Sequence, residues 1–274
     1  MSAAGKSARA VRRLARRLRP PRRGRSLRFR REPHDRFWWH KLEATDYVPP
    51  LYAGLTRAEW RVMDGWYAET AARGRIAEIN VPAMSFCHGL IGGNGIRRTV
   101  QLGHYYGYSA LLLGFLLRSM GARPGLVTID LDPEATEFTR RWVRRARLED
   151  FVHVQQGDSA AAASADRAQE LLGGAPELIV VDSAHAYRHT LAELELWTPR
   201  LQTGGIMLFH DASEFAAAYD PHGEGGVRRA LVEWLDGHPE MTGMLLNGGV
   251  RQGADANRLA YKDGTGLAIL QRVG

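Results

Sequence analysis

Residues 99–130 read TVQLGHYYGYSALLLGFLLRSMGARPGLVTID, and the reading of this stretch decides the fold. Two short β-rich runs, Thr99–Leu102 and Leu126–Ile129, bracket a helical segment that starts beyond Gly107. Uninterrupted apolar strands joined through a helix belong to a parallel sheet covered on both faces, because a strand with one wet face would alternate apolar and polar residues. The same rhythm continues downstream, with Phe151–Gln155, Leu178–Val181 and Ile206–Phe209 as further strands. Between them Phe138 and Trp142 stand four apart, and Leu191, Leu194, Trp197 and Leu201 recur at helical spacing. Leu231, Trp234 and Leu235 mark one more helix, and Met241–Leu246 and Leu267–Gln271 two last strands. The pattern predicts an α/β fold over residues 98–274: one doubly wound, seven-stranded, mostly parallel sheet, with no internal repeat.

Working back toward the N-terminus, Thr56-Arg57-Ala58-Glu59 has the form of a capping box and predicts a helix to about Ala72, stopped by Gly74. A second helix is expected from Pro82 to the Gly92-Gly93 pair. Phe37-Trp38-Trp39 would be costly to leave in water and is expected to pack on the domain, so residues 37–97 read as a helical arm or cap.

Residues 1–36 hold 14 basic residues, thirteen of them arginine, and two acids, a net charge of +12. The remaining 238 residues carry −5, so the overall +7 describes a basic tail on a mildly acidic body. That division removes the argument for a nucleic-acid-binding domain. The tail segment ARAVRRLARRL (8–18) spaces Val11, Leu14 and Leu18 along one helical face, which suits weak contact with an anionic membrane surface or RNA. It is also acid-poor like a transit peptide, and its plain reading is a disordered extension ended by Pro20-Pro21. Arginine outnumbers lysine 34 to 3, which points to coding bias. A single cysteine excludes a disulfide framework and a multi-cysteine zinc site. The longest apolar run, Tyr108–Leu117, is about half what a membrane span needs. A soluble, cytoplasmic protein is expected.

In a doubly wound sheet, ligands bind beyond the carboxyl ends of the strands at the point where strand order reverses. Strand one runs from Gln101 into Gly103, Tyr105, Gly107 and Ser109, where the glycines would let backbone approach a ligand and Ser109 opens a helix with free N–H groups. Tyr105 stands where a dinucleotide fingerprint needs its second glycine, so NAD is disfavoured. Strand two ends at Asp130, placed for ribose hydroxyls, and strand three at Gly157-Asp158-Ser159, able to read a base edge. Each of these alone is better explained by a turn or cap; together they favour a nucleoside ligand without a diphosphate.

The runs TVQLGHYYGYSALLL, VTIDLDPEA, QQGDSA, LIVVDSAHAYRHTLAELELW and LQTGGIMLFHDAS, in that order, resemble class I S-adenosylmethionine-dependent methyltransferases. They look most like the branch with macrocin- and sugar-type O-methyltransferases and cephalosporin-hydroxylase-like proteins. The resemblance covers about residues 95–240 and implies a Rossmann-like fold binding S-adenosylmethionine. It places Gly103, Tyr105, Gly107 and Ser109 around the methionine part of the cofactor, Asp130 at the ribose, and Asp158 and Ser159 near the adenine. Gln101 replaces the usual acid at its position.

Strand four ends in Asp182-Ser183-Ala184-His185 and strand five in His210-Asp211. An acceptor hydroxyl needs either a general base or a divalent cation that lowers its pKa. His185 is the expected base and Asp182 also a cofactor contact; His210 is a second catalytic candidate. Asp182, Asp211 and His210 are the metal candidates, with magnesium the cation that carboxylates suit. Ala212 offers no ligand where catechol-type relatives carry an amide. His189 is read as solvent-facing, His104 as either cleft or packing, and Cys87-His88 as core. Residues 212–226 read as a mobile lid. The expected activity is O-methylation of a small molecule, a natural product or sugar-bearing compound, by a chain that could form homo-oligomers. The alternatives are an accessory protein keeping the fold, and a nucleic-acid methyltransferase; the latter lacks an N-P-P-Y-type motif after strand four.

Overall fold

Why these residues build a sheet is plain from their burial. β1 (Thr99–Leu102) and β4 (Leu178–Val181) are buried at every position. β2 (Leu126–Asp130), β3 (Val152–Gln156) and β5 (Ile206–His210) complete a parallel set. β7 (Leu267–Arg272) runs antiparallel to both β5 and β6 (Met241–Leu246). The order is β3-β2-β1-β4-β5-β7-β6, so the reversal falls between β1 and β4. Leu102 pairs with both Ile129 and Val181, and Val181 pairs with Phe209, so four strand ends finish nearly level. Their loops therefore open into one space.

The computed structural model describes residues 48–251 and 258–274, with Pro49–Gly274 forming a compact unit. The basic tail and Phe37-Trp38-Trp39 lie outside the described residues. Ahead of the sheet come α1 (Pro50–Ala53), α2 (Arg57–Ala72) and α3 (Val81–Asn94). The expected capping box closes both ways: the Glu59 N–H donates to Thr56 Oγ1 and the Thr56 N–H to Glu59 Oε2. α3 begins one residue before Pro82, because Asn80 caps it by accepting the Ala83 N–H at 3.0 Å. Between the strands lie α4 (Tyr108–Ser119), α5 (Pro133–Ala146), α6 (Ala162–Leu172), α7 (Tyr187–Trp197) and α8 (Gly226–Leu235). The Asp132 carboxylate caps α5, which ends in Arg144 and Arg145, so both helix ends meet charges that favour the dipole.

One core joins Val100, Leu102, Ile179, Val181, Met207 and Phe209 of the sheet to Trp197 and Trp234. Side-chain contacts tie the helical addition to this body. Trp66 Nε1 donates to the Tyr106 carbonyl at 2.7 Å. The Tyr52 hydroxyl meets those of Tyr67 and Tyr108. Arg118 of α4 pairs with Glu59 of α2 at 2.6 Å. Among the described residues no helix is long and apolar enough to cross a membrane.

Candidate functional site

A cleft of about 660 Å³ lies above the carboxyl ends of β1–β4. Gly103, Tyr105, Asp130, Asp158, Ser159, Asp182 and His185 line it, together with His189 and Leu131. Seven residues singled out from sequence thus share one wall. Asp130 anchors its centre: Oδ2 accepts the N–H groups of His104 and Tyr105, and Oδ1 that of Asp132. The carboxylate thereby stitches the β1 loop to the β2 loop while still facing the cleft.

The glycines of the β1 loop have close protein neighbours. A Cβ on Gly103 (φ +82°) would stand 2.1 Å from the Asp182 carbonyl oxygen, and one on Gly107 (φ +85°) 2.7 Å from the Thr139 side chain. They permit close approach of protein to protein, and so set the loop's path along the cleft. Gln101 is 1% exposed; its Nε2 donates to the Gly103 carbonyl and Ser109 Oγ. Its buried Oε1 has no hydrogen-bond partner among the described residues. Ser109 borders a smaller recess beside the cleft, shared with Gly103, where Glu78 and Asp182 supply carboxylates. His104 is packing: it is 2% exposed, its Nδ1 meets Thr128 Oγ1 at 3.1 Å, and burial pushes its pKa down to about 4. Cys87 is fully buried, which pushes its thiol up to about 12.

Past β4 and β5 the polar groups converge. His185 Nε2 lies 2.9 Å from Asp211 Oδ2. The Asp211 hydrogen bond raises the His185 pKa, although burial opposes it. Asp211 sits at φ +58°, a strained conformation for a non-glycine residue. Burial alone would raise its pKa, but His210 and His185 hold it far below the usual carboxylate range.

His210 stands behind these carboxylates and does not line the cleft. Its Nδ1 lies 3.2 Å from both Asp182 Oδ1 and Asp211 Oδ2. Its Nε2 meets Asn80 Nδ2 at 3.1 Å, Thr265 Oγ1 at 3.2 Å and Asp263 Oδ2 at 3.3 Å. Burial would lower its pKa, yet Asp211 and Asp182 hold it well above the ordinary histidine value.

Asp182, His185 and Asp211 each bring one ligand atom within 4.8 Å of the others. That set fits a divalent cation. With two carboxylates and one imidazole it is a mixed oxygen–nitrogen donor set, softer than the all-oxygen set magnesium prefers. His210 is not one of the three residues of this set.

Several residues of the site escaped the sequence reading. Asn80, Asp263 and Thr265 come from α3's cap and the turn before β7, far away in the chain and without motif spacing. Glu193 sits in the leucine–tryptophan stripe of α7, was not singled out, and is 0% exposed. His189 is not solvent-facing; it is half-buried against Ser159 and Glu193. Residues 212–226 are also more tightly tied than a mobile lid. Asp220 accepts the N–H groups of His222, Glu224 and Gly226, fixing the turn that leads into α8. Tyr219 from this segment lies 5.7 Å from the His185 ring, centroid to centroid, and is 42% exposed.

This sheet order, with its antiparallel β7 beside β5 and its cleft at the β1/β4 reversal, defines a Rossmann-like methyltransferase fold. Residues 100–212 match the family described as "Methyltransferase domain". Among curated proteins the chain is similar to a rhamnosyl O-methyltransferase of Mycobacterium tuberculosis (strain ATCC 25618 / H37Rv). The two are 29% identical over 116 residues, 42% of this chain and 45% of that protein. The rhamnosyl O-methyltransferase of Mycobacterium bovis (strain BCG / Pasteur 1173P2) matches to the same extent. The chain therefore spans just under half the length of these curated relatives. Among solved structures, an O-methyltransferase from Bacillus cereus in complex with SAH superposes with a TM-score of 0.59 at 20% identity, covering 80% of this chain and 91% of that one. The O-methyltransferase TomG from Streptomyces achromogenes, involved in tomaymycin synthesis and solved with SAM, gives 0.57 at 20% identity with the same coverage.

Proposed function

We propose that this chain is an S-adenosylmethionine-dependent O-methyltransferase acting on a hydroxyl of a small molecule. The observation that carries the reading is the cleft itself. It runs from the Asp158 loop past Asp130 to His185, so a nucleoside at one end would bring its 5′ substituent to an acid–histidine cluster at the other. Asp130 would accept the ribose hydroxyls. The β1 loop and the adjoining recess, with Ser109, would hold the amino-acid end.

Methyl transfer from a sulfonium is an in-line displacement: the C–S bond breaks as the acceptor oxygen bonds to carbon, and the hydroxyl proton must leave. His185 is the proposed base. With its Nε2–H donated to Asp211, the imidazole keeps its lone pair at Nδ1 for the substrate proton. His210 is proposed to orient Asp182 and Asp211 from behind. If a divalent cation is bound by Asp182, Asp211 and His185, it would lower the hydroxyl's pKa and align it. In that case His185 would act as a ligand, and chelation would abolish turnover.

The rhamnosyl relatives and the exposed Tyr219 ring beside His185 favour a sugar-bearing or natural-product acceptor. The basic tail, residues 1–36, is proposed to be dispensable for turnover on a soluble acceptor, with at most weak membrane contact. A cytoplasmic location and a homo-oligomeric state belong to the same reading. Calorimetry with S-adenosylhomocysteine, followed by transfer of labelled methyl to rhamnosyl and other glycosyl acceptors, tests it. Failure to bind S-adenosylhomocysteine would remove the proposal.

A further inference from the structure

One face of α7 grips a single residue of the β3 loop at three points. His189, Glu193 and Trp197 are spaced four apart, and all three reach Ser159. His189 Nε2 is 3.0 Å from Ser159 Oγ, and that hydroxyl donates to Glu193 Oε1 at 2.5 Å. Trp197 Nε1 donates to the Ser159 carbonyl at 2.8 Å. Glu193 Oε1 also accepts the Ser183 hydroxyl at 2.7 Å, and His189 Nε2 lies 3.3 Å from it.

The Glu193 side chain is fully buried, and its Oε2 has no hydrogen-bond partner among the described residues. Taking a carboxylate out of water is costly even when it is paired, and a leucine on this face would carry no such cost. Core packing therefore does not account for it. What the carboxylate does join is informative. Ser159 follows β3 and Ser183 follows β4, strands separated in the sheet by β2 and β1, and both serines line the same cleft.

We propose that Glu193 is a positioning residue for the nucleoside end of the cleft. By holding Ser159 and Ser183 on one oxygen it fixes the spacing of the two loops between which the base of an adenosyl ligand enters. Asp158, next to Ser159, is thereby presented to the base edge, and Glu193 itself touches no ligand. This rests on the adenosyl-cofactor reading above.

The test is calorimetry on the full chain with two probes. S-adenosylhomocysteine is the whole ligand; 5′-methylthioadenosine keeps the nucleoside and lacks the amino-acid end. Glu193→Ala weakens both by the same factor, about tenfold or more, as expected for a lost charged hydrogen bond. Glu193→Gln, whose amide oxygen still accepts both hydroxyls, stays within about threefold. In turnover assays Glu193→Ala raises KM for S-adenosylmethionine and leaves kcat within about threefold. Ser159→Ala and Ser183→Ala, which keep the core intact, weaken both probes and decide the matter if Glu193→Ala does not fold. Affinities within about twofold of wild type in folded Glu193→Ala, or in Ser159→Ala and Ser183→Ala, overturn the proposal, even if the melting temperature falls, since that pattern marks a purely structural acid. A loss confined to S-adenosylhomocysteine also overturns it. Wild-type protein binding neither probe removes the cofactor reading and this inference with it; wild-type binding with unperturbed variants removes the inference alone.

Discussion

His185 Nε2 and Asp211 Oδ2 lie 2.9 Å apart, joining the loop after β4 to the residue after β5. The pair spans the edge of the cleft, with Asp211 buried and His185 partly open to it. A buried carboxylate that receives one imidazole nitrogen leaves the other directed by geometry, the arrangement a general base needs.

His185→Ala is therefore expected to cut turnover by about 10² to 10⁴, the usual worth of general acid–base catalysis, with S-adenosylhomocysteine affinity nearly unchanged. Steady-state kinetics with calorimetry checks both halves. A loss under about tenfold would move the base elsewhere.

Asp130→Ala is expected to weaken S-adenosylhomocysteine binding by at least about tenfold, because the ribose loses a charge-assisted acceptor. It also strips the His104 and Tyr105 N–H groups of their shared partner, so the β1 loop loosens at the same time. Asp130→Asn, which keeps one acceptor oxygen, should lose less. Calorimetry with both variants separates them, and NAD should bind to neither variant nor wild type.

The strands and their ends were legible because apolar runs and strand-end residues obey local rules. Gly103, Tyr105, Asp130, Asp158, Ser159, Asp182 and His185 all end or follow a parallel strand, and such a sheet brings strand ends together whatever the rest of the chain does. What stayed hidden depends on contacts with no local signature. His210 looked like a cleft residue from its strand-end position, but Asn80, Asp263 and Thr265, from remote segments, take up its Nε2 side. Glu193 was hidden for another reason: an acid among leucines on a helix reads as a surface residue, and only the two serine hydroxyls show why it is inside. The glycines of the β1 loop were recognisable as necessary, but the close neighbours are the Thr139 side chain for Gly107 and the Asp182 backbone for Gly103, which no spacing rule reveals.

Gly103→Ala follows from that last contact. The new methyl would stand 2.1 Å from the Asp182 carbonyl oxygen at a φ of +82°, so steric and backbone penalties act together. The expected destabilisation is about 2–4 kcal/mol, read as a shift in the denaturant midpoint at unchanged slope. Because Asp182 must move to admit the methyl, the folded fraction should also lose turnover. Retained stability and activity would contradict the close approach.

The final expectation concerns acid. Burial alone would raise the Glu59 pKa, but the hydrogen bonds from Thr56 and the Arg118 guanidinium outweigh it and leave the group below its ordinary value of 4.5. A carboxylate whose pKa is depressed on folding stabilises the native state fully above its unfolded-state pKa, and that contribution disappears as pH falls through the folded-state pKa. The loss should therefore occur below about pH 4.5, where protonation weakens both the capping box of α2 and its 2.6 Å tie to α4. Glu59→Gln lacks the charge at every pH. Denaturant midpoints of wild type and Glu59→Gln should differ at pH 6 and converge toward pH 3. A constant gap across that range would show that the charge of Glu59 contributes nothing to holding α2 against the sheet domain.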